Sequence, residues 1–346
     1  MLRGKTVFVV GAGASSEADL PSAPKLKIEI ANLLGSTVDS LGQLVLSEQN
    51  REFFAELVRL ERFRDRNRLA AAAHQIVSGV AFASSIDTFL EVRKLDDDIT
   101  LLAKASIVNL ILAAERNSFL VGTGPPANRR LEPTAIDKTW YQEFAQFFFE
   151  KVEQERIGNE LEKLTVIDFN YDRCFEQLFF HALAGLYNLS LDYAANLMQG
   201  LKVLHPYGSV GNLHHPCKSP LAKFGADSRG RCLSLSAGIK TFSERVVDDA
   251  LLAQIRSALR EADTVVFLGF AFHPQNLELI RPGDCETRKA ILGTRLGMSS
   301  ADMVSVESQL ITMFRVEPHG WNPTVELIDL KCGTFLSQYR RTLSAF

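Results

Sequence analysis

The sequence has no cysteine in an arrangement that builds a site. Its five, Cys174, Cys217, Cys232, Cys285 and Cys332, are odd in number, widely scattered and free of any C-x-x-C pair. That argues against a disulfide framework and points to a reducing, cytoplasmic compartment. No run approaches the ~20 apolar residues that a membrane-spanning helix needs. Arg3, Lys5 and the run Val7 to Val10 imitate a signal peptide, but the apolar core is short and passes straight into glycines, Glu17 and Asp19. Charge of one sign is missing too. The 38 Lys and Arg against 41 Asp and Glu leave a formal net charge of -3, which argues against a chain built to coat nucleic acid. There is no internal repeat or low-complexity tract, and 46% hydrophobic with 23% charged residues is globular usage. The 346 residues allow two to three domain-equivalents, or one α/β domain with a large insertion.

What is present is organised around the N-terminal stretch Lys5-Thr6-Val7-Phe8-Val9-Val10-Gly11-Ala12-Gly13-Ala14-Ser15-Ser16. An apolar, β-branched run breaking into glycines reads as a buried strand followed by a tight turn. Glycine allows close approach of a ligand, and the N–H groups of such a turn form a concave anion site suited to a nucleotide pyrophosphate. The fingerprint G-x-G-x-x-G is incomplete, because Ser16 stands at the third glycine and no acidic residue about 20 positions on closes a second strand. An ordinary dehydrogenase is therefore not indicated.

Pro24, with Ser22 as a nearby cap, starts a helix from Lys25 to Leu34 that Gly35 ends. From about Asp39 to Ser118 apolar residues recur three and four apart, as in Phe53-Phe54-Leu57-Leu60, marking a helical insertion. Within it, Glu61 to Arg68 is a charge-rich face that reads as solvated. Val121 to Pro133 is a loop, and its Arg129-Arg130 pair could flank an anion. The aromatic face Phe144-Phe147-Phe148 of the next helix, Trp140 to Glu155, reads as core. Strands and helices then alternate: strand Leu164 to Phe169, helix Arg173 to Leu186, strand Lys202 to Tyr207, helix Val246 to Glu261, strand Asp263 to Gly269, strand Lys289 to Leu292, helix Ser300 to Met313 and helix Phe335 to Leu343. This alternation predicts an α/β fold with a doubly wound, Rossmann-like parallel sheet and a large α-helical insertion. Residues 1–35 and 136–346 would form the sheet domain and 36–135 the insertion.

Ligands of open α/β sheets bind at the carboxyl ends of the strands. Those ends carry Gly11-Ala12-Gly13, Asn170-Tyr171-Asp172, Gly208-Ser209-Val210-Gly211 and Gly269-Phe270-Ala271-Phe272-His273-Pro274-Gln275-Asn276. Four ends rich in glycine, amide, carboxylate and hydroxyl groups predict one composite pocket. Taken alone, Asn170 and Asp172 equally suit an Asx turn capping the helix that follows.

These segments resemble the sirtuin-like domains of bacterial stand-alone and defence proteins. Gly11 to Ser15 followed by Leu20-Pro21 is similar to that family's glycine loop, and Phe169-Asn170-Tyr171-Asp172 to its T-x-N-x-D segment. Tyr207-Gly208-Ser209 is similar to its H-G-S turn, and Leu268 to Phe272 with Asn276 to its later ribose-binding loop. Ser85-Ile86-Asp87-Thr88-Phe89-Leu90 resembles a helical-insert motif of the same proteins. The match runs in order from residue 5 to about residue 293. It implies NAD as ligand, with Gly11, Ala12, Gly13, Ser15, Tyr207, Gly208, Ser209, Gly269, Phe270 and Asn276 binding it. It also implies cleavage of the nicotinamide–ribose bond to nicotinamide and ADP-ribose, with Asn170 orienting ribose and water and Asp172 bonding the carboxamide. Such proteins are often antiviral-defence effectors, so the expected partners are NAD and further copies of the chain or a defence-system protein, with no membrane.

Two departures matter. Tyr207 stands where the family has its histidine base, and His205 lies two residues earlier, ~6.6 Å along an unbroken strand. A neutral imidazole serves as a base near pH 7, whereas an ordinary tyrosine, with pKa about 10, is protonated there. His205 is thus the catalytic candidate beside Asn170 and Asp172, provided that Pro206 distorts the strand end. The paired C-x-x-C motifs of deacylating sirtuins are also missing. His214, His215, Cys217 and Cys232 fall in that region with no common zinc spacing, so no metal is expected and deacylation is disfavoured. The alternatives are a catalytically inactive NAD or ADP-ribose sensor and, third, a nucleic-acid adaptor using Arg62, Arg64, Arg66 and Arg68.

Overall fold

The computed structural model describes residues 1–35, 48–60, 65–124, 130–213, 222–241, 244, 249–316 and 320–344. Six strands are described: β1 Thr6–Val10, β2 Leu164–Asp168, β3 Lys202–Leu204, β4 Thr264–Leu268, β5 Ala290–Thr294 and β6 Thr324–Ile328. They form one sheet in the order β3-β2-β1-β4-β5-β6, and every neighbouring pair is parallel. That is the strand order of a doubly wound, Rossmann-like sheet, whose direction of winding reverses between β1 and β4.

The helices of the N-terminal half are α1 Ala12–Ser15, α2 Ala23–Gly35, α3 Glu48–Leu57, α4 Arg66–Val80, α5 Ile86–Val92, α6 Asp97–Asn117, α7 Pro133–Ile136, α8 Trp140–Phe149 and α9 Ile157–Leu161. Then come α10 Cys174–Leu186, α11 Leu191–Leu197, α12 Cys232–Ser236, α13 Asp249–Glu261, α14 Pro274–Leu279, α15 Ser300–Met313 and α16 Cys332–Leu343.

Successive side chains of a strand point to opposite faces, and here they enter two different cores. Phe8, Val10, Val166, Val266 and Leu292 pack with α8, α10 and α16. Val7, Val9, Ile167, Val265, Phe267 and Ile291 pack with α13 and α15. With both faces covered, the central strands can be apolar throughout, and all five residues of β1 are buried. The aromatic face of α8 is core: Phe144 stands edge-on to Phe8 at 5.2 Å and to Phe175 at 5.1 Å. A third cluster joins α2, α3, α4, α5, α6 and α12 into a helical layer that reaches Tyr171 and Tyr207 at the strand ends.

The structure differs from the sequence expectations in several places, and short helices such as α11, α12 and α14 were not foreseen. The strand predicted over Lys202 to Tyr207 stops at Leu204, because Gly208 N–H bonds His205 O and closes a turn over 205–208. The helix predicted over Trp140 to Glu155 ends at Phe149. Strand β6 was not foreseen, because it is a half-exposed edge strand carrying Glu326 and lacks the continuous apolar run of the buried strands.

One helix position is not optimised. Gly185 lies inside α10, and a Cβ there would meet no atom within 4 Å. Gly185→Ala is expected to raise stability by ~0.5–1 kcal/mol, because alanine loses less backbone entropy on folding. A reversible denaturant titration measures it.

Candidate functional site

At the point where the sheet reverses, the loops after β1 and β4 touch backbone to backbone. Gly13 N–H donates to Gly269 O at 3.0 Å and Gly11 N–H to Leu268 O at 2.9 Å. A Cβ on Gly11 would lie 2.6 Å from Gly269 O, and one on Gly13 2.8 Å from the same oxygen. Gly269 has φ +56°, a left-handed conformation suited to glycine. The glycines therefore serve close packing of two loops. The expectation that the N–H groups of this turn form an open anion cradle is revised, since those of Gly11 and Gly13 are committed to β4 and its loop. Ser16, at the place of a third glycine, donates its hydroxyl to Gly13 O at 2.6 Å. Phe270 is buried against Phe169, with ring centroids 5.0 Å apart.

The residues after β2 divide between the two roles that sequence left open. Asp172 Oδ1 accepts the N–H of Cys174, the first residue of α10, at 3.1 Å, an Asx turn leading into the helix, and the carboxylate also bonds the Ser15 side chain. Asn170 does not cap. Its amide nitrogen donates to Ser15 Oγ at 2.9 Å, joining the end of β2 to the glycine turn, and the residue is only 6% exposed. Burial pushes the Asp172 carboxyl above the ordinary carboxylate range. Asp168, the last residue of β2, accepts Asn170 N–H at 2.9 Å, and its carboxyl is raised well above the ordinary range, first by burial.

The turn after β3 brings two more predicted residues to the same place. Tyr207 donates its hydroxyl to Asn276 Oδ1 at 2.6 Å, spanning from the β3 end to α14. His205 faces the other way. Its Nδ1 lies 3.1 Å from Asn170 O and its Nε2 2.9 Å from Glu176 Oε1. Burial works against its charge, but the Glu176 carboxylate prevails and holds the imidazole at a pKa of about 9. Gly208 has φ +71° and lies against Gly238, while Val210 N–H bonds Tyr171 O at 2.9 Å. Ser209 is buried beside them, its hydroxyl 3.5 Å from Gly211 O. Ala12 opens α1 and is half-buried. All ten residues expected to bind NAD thus lie on the carboxyl ends of β1, β3 and β4 or in the elements that follow them. Asn170 and Asp172 follow β2.

Several supporting residues were missed in the sequence. Arg173 and Glu115 are both fully buried and form a two-pronged ion pair, Nε to Oε1 at 3.0 Å and Nη2 to Oε2 at 2.6 Å. Arg173 Nη1 also donates to Ala222 O at 2.6 Å, and Gly225 N–H to Glu115 Oε2 at 3.0 Å. Burial raises the Glu115 carboxyl against the pull of Arg173. The available signal was Glu115, directly after the apolar run 110–114 of α6, which calls for a cationic partner. Two further bonds tie the helical layer to the strand ends: Tyr171 hydroxyl to Asp87, and Gln275 Nε2 to Glu91 Oε2 at 2.7 Å.

Asp168, Glu176 and His205 place one ligand-type atom each within 4.8 Å of one another, the metal-like grouping found among the described residues. Both ring nitrogens of His205 already face oxygen acceptors, so hydrogen bonds account for the grouping. His214, His215, Cys217, Arg62, Arg64 and Arg129 lie outside the described residues. Cys232 is buried in α12, and Arg68 pairs with Asp98 at 2.6 Å. Among the described residues, no helix is long and apolar enough to cross a membrane.

No family model matches the chain, and no curated protein matches it. Solved structures do. One is described as a Sir2 homologue triple mutant in complex with 2'-O-acetyl ADP ribose, with 13% identity and a TM-score of 0.41 over 98% of this chain and 91% of that one. Another is a Sir2 homologue–NAD complex, with 14% identity and a TM-score of 0.41 over 98% of this chain and 90% of that one. At that level the likeness is one of backbone outline, and the fold class rests on the sheet order of this chain itself.

Proposed function

We propose that this protein is an NAD glycohydrolase, releasing nicotinamide and ADP-ribose. The observation that carries the reading is Asn170, a buried primary amide that is not used as a helix cap and is turned toward the glycine turn at the reversal point of the sheet. Cleavage of a nicotinamide–ribose bond passes through an oxocarbenium-like state, so the site's task is to orient the ribose and a water. A carboxamide side chain can donate to one and accept from the other. Tyr207 and Asn276 offer a hydroxyl and an amide from the β3 turn and α14, suited to the ribose diol. Asp172 is near enough in sequence and burial to meet the nicotinamide carboxamide. The order of these motifs, and their resemblance to the sirtuin-like pattern, support the substrate. Binding would exchange the Asn170–Ser15 and Tyr207–Asn276 bonds for bonds to NAD.

One observation favours a second reading, an NAD or ADP-ribose sensor without turnover. His205 is engaged at both nitrogens, and the Tyr207 hydroxyl is engaged with Asn276. The test incubates purified protein with NAD at low and high protein concentration and follows nicotinamide and ADP-ribose. Turnover that Asn170→Ala lowers by at least ~10²-fold, with the circular dichroism spectrum unchanged, is the expected result. Tight NAD binding without turnover would replace the hydrolase with the sensor. Neither binding nor turnover would sink both.

A further inference from the structure

We propose that His205 and Glu176 are positioning residues: the imidazole, donating from both ring nitrogens, ties the main chain of Asn170 to the first turn of α10 and so sets where the Asn170 amide points. This rests on the reading of Asn170 as the residue that orients the ribose.

The geometry assigns the role. Asn170 lies beyond the sheet ladder, which ends with Phe169 N–H bonding Val10 O at 2.9 Å. Past that point its two main-chain polar groups are held by side chains. Asp168 accepts the N–H, and His205 lies against the carbonyl. The other ring nitrogen meets a Glu176 oxygen at 2.9 Å. A carbonyl oxygen and a carboxylate are both acceptors, and a neutral imidazole has one N–H to give. Satisfying both requires the doubly protonated ring.

Glu176 fits the same account. Its second oxygen, Oε2, is buried and has no partner among the described residues. A half-satisfied carboxylate away from water persists beside a cation. Despite its burial, the carboxyl is held below the ordinary range by His205. The titratable groups facing the imidazole are Glu176 from α10 and Asp168 from β2, and Asp172 lies next to Asp168. The ring is therefore a strut between β2, the β3 turn and α10, and a general base would need the lone pair that this arrangement denies it.

The sign of the pH dependence follows. The folded-state pKa of about 9 is raised above the ordinary value, so the strut is complete at neutral pH and is lost as pH rises through about 9. A base in the same place would give turnover that increases over that range.

The experiment uses the full chain labelled with ¹⁵N-histidine and ¹⁵N-asparagine, with His205→Gln and Asn170→Ala assigning the signals. The expected result is a His205 ring protonated on both nitrogens up to about pH 9, with the Asn170 amide signal moving over the same range. Glu176→Gln should shift both transitions to lower pH. NAD turnover should fall with that limb, and His205→Gln should lower kcat by about tenfold with KM nearly unchanged, short of the ~10²–10⁴-fold cost of losing a general base. A neutral His205 ring at pH 7.5, an Asn170 signal that ignores it, or turnover rising through pH 9 would overturn the proposal. Co-titration of the two signals with no NAD turnover would support the strut and remove the glycohydrolase reading instead.

Discussion

Arg173→Ala is expected to destabilise the protein by about 3–5 kcal/mol, because it leaves the Glu115 carboxylate uncompensated in the interior. Both partners are fully buried, and the guanidinium also holds the carbonyls of Gly211, Ala222 and Lys223. The loss therefore opens a seam between α6, the start of α10 and the segment near residue 222. Urea unfolding of three variants separates the contributions. The single replacement should show the full loss, whereas Arg173→Met combined with Glu115→Leu should recover most of it, since the desolvation of two charges disappears with the pair. A cost below ~1 kcal/mol for Arg173→Ala, the range of surface pairs, would mean that water reaches Glu115.

Gly269→Ala is the second large effect, about 2–5 kcal/mol, from two sources. The residue sits at φ +56°, which costs a side chain roughly 1–2 kcal/mol. Its Cβ would also fall on Ala14 N and within 2.8 Å of Gly13 Cα, backbone that cannot rotate away. Gly283 provides the control, with φ +78° and nothing within 4 Å of a Cβ. Gly283→Ala should show the conformational cost alone, ~1–2 kcal/mol. The difference in melting temperature between the two variants isolates the loop-to-loop clash. Equal losses would show that the β1 and β4 loops are free to part.

The fold was legible because its cues are local. A β-branched run ending in glycine and the alternation of apolar strands with amphipathic helices led to a doubly wound sheet, and the sheet order agrees. β6 escaped because an edge strand with Glu326 at its centre has no continuous apolar run. The candidate site was legible as a set of strand ends but not as a set of bonds. Asn170 and Asp172 looked alike as helix caps; only Asp172 bonds the first N–H of α10, and the meeting of both side chains with Ser15, on another element, needed three dimensions. The pairing of His205 with Glu176, 29 residues away on another element, left no mark in the sequence. Arg173 and Glu115, 58 residues apart, pair across two elements that no periodicity connects.

The centre of the sheet also governs when the molecule can exist. Strand β1 pairs Thr6 with Leu164 on one side and with Thr264 on the other. During synthesis β1 is thus the strand of the six that waits longest for its neighbours, with α2 to α6 of the helical layer emerging before either partner. Contacts this distant in sequence are slow to form and leave an apolar strand exposed while they do. The helical layer, whose contacts are more local, would collapse first on the ribosome. The strand-end loops, which draw on both partners of β1, would be among the last parts to assemble.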